Sequence, residues 1–134
     1  MKLSDHKINL QLREEGGWVE GVLGDLDVKV RGSGNKDWAK LEQKLVTEVP
    51  RKRRINGLQP EDRLRINSIL ILETSLLDWR GMENGDGTPE PYSYEAAKKY
   101  LTNPEYESLV WACLGAAGVV AEQGQAEIED DAKN

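Results

Sequence analysis

The sequence contains few of the residues on which catalytic and metal sites depend. Its 134 residues include one cysteine, Cys113, and one histidine, His6. A single cysteine cannot form an intramolecular disulfide, and one ligand of each type, far apart in the chain, cannot make a zinc site. A catalytic Ser–His or Cys–His pair would have to be built on His6, in a polar N-terminal segment. We therefore expect a non-enzymatic protein that uses no metal and no cofactor.

Long apolar segments are also lacking. The longest run, residues 69–72, is much too short to span a bilayer. Residues 1–7 are polar and lack the apolar centre of a signal peptide. We expect an intracellular, soluble protein in which Cys113, set among apolar neighbours, is a buried and unreactive thiol.

Acidic residues outnumber basic ones, 24 against 18, which gives a formal net charge of −6. This balance argues against non-specific binding to nucleic acid. The exception is one dense basic run, Arg51, Lys52, Arg53 and Arg54. We interpret this run as a solvated loop between helices, because no aromatic residue interleaves it. Binding to nucleic acid and docking to an acidic protein partner are the alternatives.

The hydrophobic pattern predicts one mainly α (α+β) domain over residues 1–124. About four helices follow a small N-terminal β-hairpin at about residues 8–31. Residues 26–31 alternate apolar and polar, and Gly24-Asp25 suits a two-residue turn. Residues 8–13 alternate in the same way and are a candidate third strand. Residues 125–134 offer little to bury and predict an acidic, disordered tail.

Caps and prolines mark the first two helices. Asn35 is a candidate N-cap for a helix whose apolar stripe begins at Trp38. That helix should end near Pro50, because the residue before a proline disfavours helical geometry. The central helix is predicted from Pro60 to about Trp79, with a broad apolar surface that needs cover on several sides.

The same signals place two further helices in the C-terminal part. Ser93 is the expected cap of a helix over residues 94–101, and Pro104 opens the last helix. Apolar faces of the central and last helices are candidate contacts with a partner. The residues proposed for that role are Ile69, Leu72, Leu76, Val110 and Leu114, together with the basic run.

The loop between the central and third helices is rich in Asp, Asn and Gly, which suggests a calcium site. An EF-hand needs oxygen ligands at fixed positions. Taking Asp86 as the fifth position places Met82 at the first and Ser93 at the twelfth, so the first and last ligands are missing. We interpret the loop as a turn in which Asp and Gly set the local geometry.

The same loop carries a family resemblance. Its Trp-x-Gly segment, Asp-Gly loop and Pro-aromatic-Ser-x-Glu helix start resemble those of tail assembly chaperones from long-tailed (siphovirus-type) bacteriophages and prophages. Upstream, the Gly-Asn-x-x-aromatic helix start is similar to theirs. The resemblance covers about residues 28–134 and departs from the common residues at Met82 and Tyr92, which keep the apolar character. It is carried by Trp79, Gly81, Asp86, Gly87, Pro91, Tyr92, Ser93 and Glu95, with Asn35 and Trp38.

The resemblance implies a non-enzymatic protein that binds the tape-measure protein and the major tail (tube) protein during tail morphogenesis. It also implies action in the cytoplasm of the bacterial host and absence from the mature virion. A chaperone of a long helical client would hold apolar surface in oligomers, so we expect a homo-oligomer. The alternatives are another small morphogenesis protein, such as a head–tail connector or completion protein, and a nucleic-acid-binding regulator that uses residues 51–54.

Overall fold

The chain combines helices with a small antiparallel sheet. The computed structural model describes the backbone of residues 1–7 and 9–133 and the side chains of residues 1–4, 7 and 9–122. The helices are α1 (Leu10–Glu15), α2 (Lys36–Glu48), α3 (Arg51–Arg54), α4 (Pro60–Leu70), α5 (Tyr94–Leu101) and α6 (Glu107–Lys133), and the strands are β1 (Gly17–Leu23), β2 (Leu26–Val30) and β3 (Leu76–Arg80). The predicted α+β fold class is confirmed.

The sheet is built around β2, which pairs antiparallel with β1 on one side and β3 on the other. The predicted turn between β1 and β2 is confirmed, since Leu23 pairs with Leu26 across Gly24-Asp25. Gly24 has a φ of +58°, which glycine adopts without strain. The alternation along β2 places Leu26, Val28 and Val30 in the core.

The predicted third strand at residues 8–13 is wrong. Ile8 lies outside the described residues, and α1 begins at Leu10. Asn9 caps this helix, because its side chain accepts a hydrogen bond of 3.0 Å from the Leu12 N–H. Helix α1 then ends at Gly16, where an added Cβ would lie 2.9 Å from the Val30 carbonyl oxygen. The hairpin is therefore confined to residues 17–30.

The third strand comes instead from the end of the predicted central helix, so the prediction that this helix reaches Trp79 is wrong. Helix α4 widens into a π-helical turn at Ile71–Ser75, and the chain then becomes β3. The Thr74 hydroxyl donates to the Leu70 carbonyl at 2.7 Å, a back-bond that competes with regular helix geometry. Short apolar runs of this kind do not distinguish helix from strand by period alone.

The buried side chain of Asn35 secures the change from helix to strand. Its oxygen accepts from the N–H groups of Asp37 (3.0 Å) and Trp38 (2.9 Å), which caps α2. Its nitrogen donates to the carbonyls of Gly32 (3.0 Å) and Thr74 (3.1 Å). In a continued α-helix, the Thr74 carbonyl would accept from a residue four positions later. Asn35 donates to that carbonyl instead. With two hydrogen bonds donated by its nitrogen and two accepted by its oxygen, the side-chain amide has no unused donor or acceptor.

Arg31 adds a second set of contacts to the same junction. Its guanidinium donates to the Thr74 carbonyl at 3.2 Å and to the Glu14 carbonyl at 2.6 Å. It also pairs with the carboxylates of Glu14 and Asp37, at 3.2 and 2.8 Å. The Ser75 hydroxyl donates to the Arg31 carbonyl at 2.8 Å. The junction between the π-helical turn and β3 is thereby tied to α1 and α2.

The core lies between the sheet and helices α4 and α6. Leu70 at the end of α4 and Ile71 in the π-helical turn are fully buried, as are Val110 and Val120 on α6. Cys113 is buried as predicted, and burial raises its pKa to about 12. Helix α6 continues to Lys133, so it includes most of the predicted tail; the disorder of that tail stays a prediction.

The remaining boundaries agree with the capping signals. Helix α2 ends at Glu48, two residues before Pro50, as predicted. Helix α5 spans the predicted residues 94–101, and the Ser93 hydroxyl accepts from the Ala96 N–H at 3.0 Å. Pro104 opens a short 3-10 turn, Pro104–Tyr106, from which α6 continues. These local signals depend on neighbouring residues alone.

Replacing Asn35 by alanine tests the role of its side chain. We expect Asn35→Ala to lower the free energy of unfolding by about 2–4 kcal/mol, because a helix cap is lost and buried carbonyls lose a donor. Urea unfolding measures the change. The matched control is Asn103→Ala, which removes one capping bond to the Glu105 N–H at the surface and should cost about 1 kcal/mol or less. Equal losses in the two variants would contradict this role.

Candidate partner-binding surfaces

Trp79 anchors the loop that carries the family resemblance. Its ring is buried in β3, and its indole N–H donates to the Glu90 carbonyl at 2.8 Å. The ring of Tyr92 meets it edge-on at a centroid distance of 5.2 Å, and that of Tyr100 lies 6.3 Å away. Trp79 thus holds both the far end of the loop and helix α5 against the sheet.

The tyrosines complete this cluster through their hydroxyl groups. The Tyr92 hydroxyl donates to the Leu76 carbonyl at 3.3 Å. The Tyr100 hydroxyl donates to the Glu90 carboxylate, and this hydrogen bond raises the pKa of Tyr100. Partial burial raises the pKa of Tyr92. The phenols act here as neutral hydrogen-bond donors, and their hydroxyl groups fasten the loop.

Asp86 and Gly87 form a tight turn. One Asp86 carboxylate oxygen accepts from the N–H of Thr88 at 3.0 Å and from its hydroxyl at 2.6 Å. These bonds lower the pKa of Asp86. The Gly87 N–H donates to the Asn84 carbonyl at 2.9 Å, with a φ of +85° at Gly87. The Asp and Gly of this loop set its geometry, as predicted.

Gly81 joins the loop to the turn of the hairpin. Its φ is +89°, and an added Cβ would lie 2.5 Å from the Asp25 carbonyl oxygen. No side chain fits that space without a shift of backbone. The glycine of the Trp-x-Gly segment is therefore required by close approach of two backbone segments.

The other residues of the resemblance occupy helix starts. Asn35 and Ser93 are the caps of α2 and α5, and Glu95 lies in the first turn of α5. Trp38 is buried, whereas Pro91 is exposed just before Tyr92. In this structure, most of these residues have local structural tasks, and none of the described contacts gathers them into a binding cavity.

The apolar residues proposed as partner contacts fall into two groups. Leu72, Leu76 and Val110 lie in the hydrophobic core of the chain. Ile69 and Leu114 are half-buried and pack against that core. The structure brings Ile69 and Val110 together in one groove. A role of any of the five in partner binding stays a prediction.

That groove runs between α4 and the junction of α5 with α6, and has a volume of about 420 Å³. Leu64 and Ile69 of α4 line one side, and Leu101, Pro104 and Val110 line the other. Charged side chains at its edge are Glu61, Arg65 and Glu107. Sequence reasoning missed Leu64 and Leu101 as groove residues, because an apolar stripe does not reveal which of its members a neighbouring helix leaves uncovered.

The basic run forms the short helix α3 rather than the predicted loop. Arg53 pairs with the carboxylates of Asp62 (3.0 Å) and Glu61 (3.4 Å) at the start of α4. Arg54 donates to the Val49 carbonyl at 3.1 Å, beyond the end of α2. Arg53 and Arg54 therefore hold α3 against α4 and the end of α2. Because two of the four cations have this structural task, the nucleic-acid interpretation is weakened.

The described residues contain no helix long and apolar enough to cross a membrane. Among these same residues, no group of three or more His, Cys, Asp or Glu side chains is placed to hold a metal ion.

The chain is a small α+β protein with an apolar groove between α4 and the junction of α5 with α6. A family model described as YdaY prophage protein matches residues 33–134, which is most of the chain. The chain therefore belongs to the YdaY prophage protein family and is a phage or prophage protein. No curated protein and no solved structure matches it. The phage origin expected from the sequence is confirmed, whereas the tail assembly role stays a prediction.

Gly81→Ala tests the structural task of the loop. We expect it to lower the free energy of unfolding by about 1–3 kcal/mol, because alanine is strained at positive φ and its Cβ meets Asp25. Gly85→Ala is the matched control, since a Cβ at Gly85 meets nothing within 4 Å. Chemical denaturation of both variants gives the comparison. A Gly81→Ala variant as stable as Gly85→Ala would refute the close approach.

Proposed function

We propose that this protein is a tail assembly chaperone that binds the tape-measure protein and the tail tube protein during phage tail morphogenesis. Membership of a prophage family supports this role, as does the resemblance of residues 28–134 to tail assembly chaperones. The observation that carries the proposal is the apolar groove between α4 and α6. Its occupant would be the apolar face of a helical tape-measure segment.

The chemistry of the groove suits an amphipathic helix. Such a helix places an apolar stripe in a hydrophobic groove and keeps its polar face in water. Leu64, Ile69 and Val110 provide apolar contacts within the groove. Glu61 and Arg65 at its edge carry opposite charges, so they would flank polar side chains of either sign beside the stripe.

A chaperone of this kind shields its client only until the tube is built. Each copy would cover one short stretch of a long client, and several copies would bind along it. The exchange of chaperone for tube protein would then release the chaperone, so we expect it to be absent from the mature virion.

Co-expression with the tape-measure gene of the same phage tests the proposal. We expect the wild-type chain to increase the soluble fraction of the tape-measure protein severalfold. Ile69→Glu should abolish most of this gain, because it places a charge in the apolar groove. The matched control is Val119→Glu, an exposed apolar position of α6 outside the groove, which should retain the gain.

Thermal unfolding of both variants separates loss of binding from loss of fold. A tape-measure protein that is equally soluble without this chain would contradict the proposal. Recovery of the chain as a fixed component of purified virions would point instead to a head–tail completion protein.

A further inference from the structure

A second pocket lies on another part of the molecule, where the hairpin turn, the loop after β3 and the start of α6 meet. Its volume is about 460 Å³. Leu23, Met82, Tyr100 and Tyr106 form much of its wall. Asp25 and Glu83 are its only charged lining residues, so the pocket contains two carboxylates and no basic group. No ion pair engages either carboxylate among the described side chains.

This composition suits a cation carried on an apolar stem. The aliphatic part of arginine or lysine packs on apolar and aromatic walls while its charged end reaches a carboxylate. Tyr106 is 44% exposed, so its ring is accessible to such a group. Tyr100 already has the ammonium of Lys99 at 5.3 Å from its ring centroid, outside the lining of the pocket.

The chain itself contains a segment of the matching chemistry, Arg51–Ile55. Arg53 and Arg54 fasten α3 to its neighbours, which fixes the orientation of the segment. Arg51 and Lys52 are exposed, and no ion pair among the described side chains engages them. Ile55 directly follows and is 71% exposed. Two cations and one large apolar side chain are thus presented together at the surface.

We propose that segment Arg51–Ile55 of one copy docks into the carboxylate and tyrosine pocket of a second copy. Within one chain the segment is anchored at the start of α4, and none of its residues lines the pocket. The two complementary surfaces therefore meet between copies. This contact is independent of the proposed chaperone role.

The contact is heterologous, because different surfaces meet from the two copies. A dimer keeps one unused segment at one end and one unused pocket at the other, so association continues head to tail unless a ring closes. Opposite charges at the surface make the contact sensitive to salt. The proposed contact gives the basic run a partner. From the sequence we interpreted that run as a solvated loop, with binding to nucleic acid or docking to an acidic protein as the alternatives.

Two variants test the contact: one alters the pocket and the other alters the segment. Glu83→Lys places a positive charge in the pocket, and Arg51→Ala with Lys52→Ala removes the cations of the segment. All three side chains are exposed, so the fold should persist. Glu42→Lys and the pair Lys40→Ala with Lys44→Ala are the matched controls, with the same charge changes on exposed positions of α2.

Sedimentation velocity of the full chain in about 50 mM and about 500 mM NaCl measures self-association. We expect the wild type to associate at low salt, and association to weaken about tenfold or more at high salt and in each variant, but not in the controls. An equimolar mixture of the two variants should form a 1:1 dimer and nothing larger, because only one intact contact remains. A monomeric wild type at low salt, an oligomer that neither variant affects, or a mixture that stays monomeric would overturn the proposal.

Discussion

The rest of the fold depends on the hydrogen bonds made by the side-chain amide of Asn35. It caps α2 and takes the Thr74 carbonyl, so the chain leaves α4 and enters the sheet as β3. Once β3 pairs with β2, Trp79 is buried and can hold the following loop and α5 in place. The groove and the pocket both depend on this placement of β3, because each is lined partly by elements that follow β3.

The residues that carry the resemblance to tail assembly chaperones are therefore separated from the surface proposed to bind the client. Trp79, Gly81 and Asp86 fix a loop, a backbone crossing and a turn. The groove proposed for the client lies between α4 and the junction of α5 with α6, where side chains need only be apolar and uncovered. A glycine at positive φ or a buried indole can be replaced by few other residues. An apolar groove, in contrast, tolerates exchange among apolar residues of similar volume. A motif of this kind identifies the fold more closely than it identifies the binding residues.

Local signals in the sequence were sufficient for much of the fold. Several features depend only on residues close in the chain. They are the Gly24-Asp25 turn, the helix caps Asn35 and Ser93, and the end of α2 before Pro50. The switch to β3 could not be predicted, because Arg31 and Asn35 act on Thr74 from about forty positions away. The groove itself was not predicted, although two of the apolar residues proposed as partner contacts, Ile69 and Val110, line it. The hydrophobic pattern shows Ile69 and Leu72 alike as apolar residues of one predicted helix. Which of them is covered depends on the packing of α6.

We propose that the groove binds the client while the loop after β3 maintains the fold. Amide hydrogen exchange measured by mass spectrometry tests it, on the free chain and on the chain co-purified with its tape-measure protein. We expect slower exchange on client binding in residues 61–69 and 101–110 and little change in residues 84–95. Protection confined to residues 84–95, with no change in the groove, would contradict it.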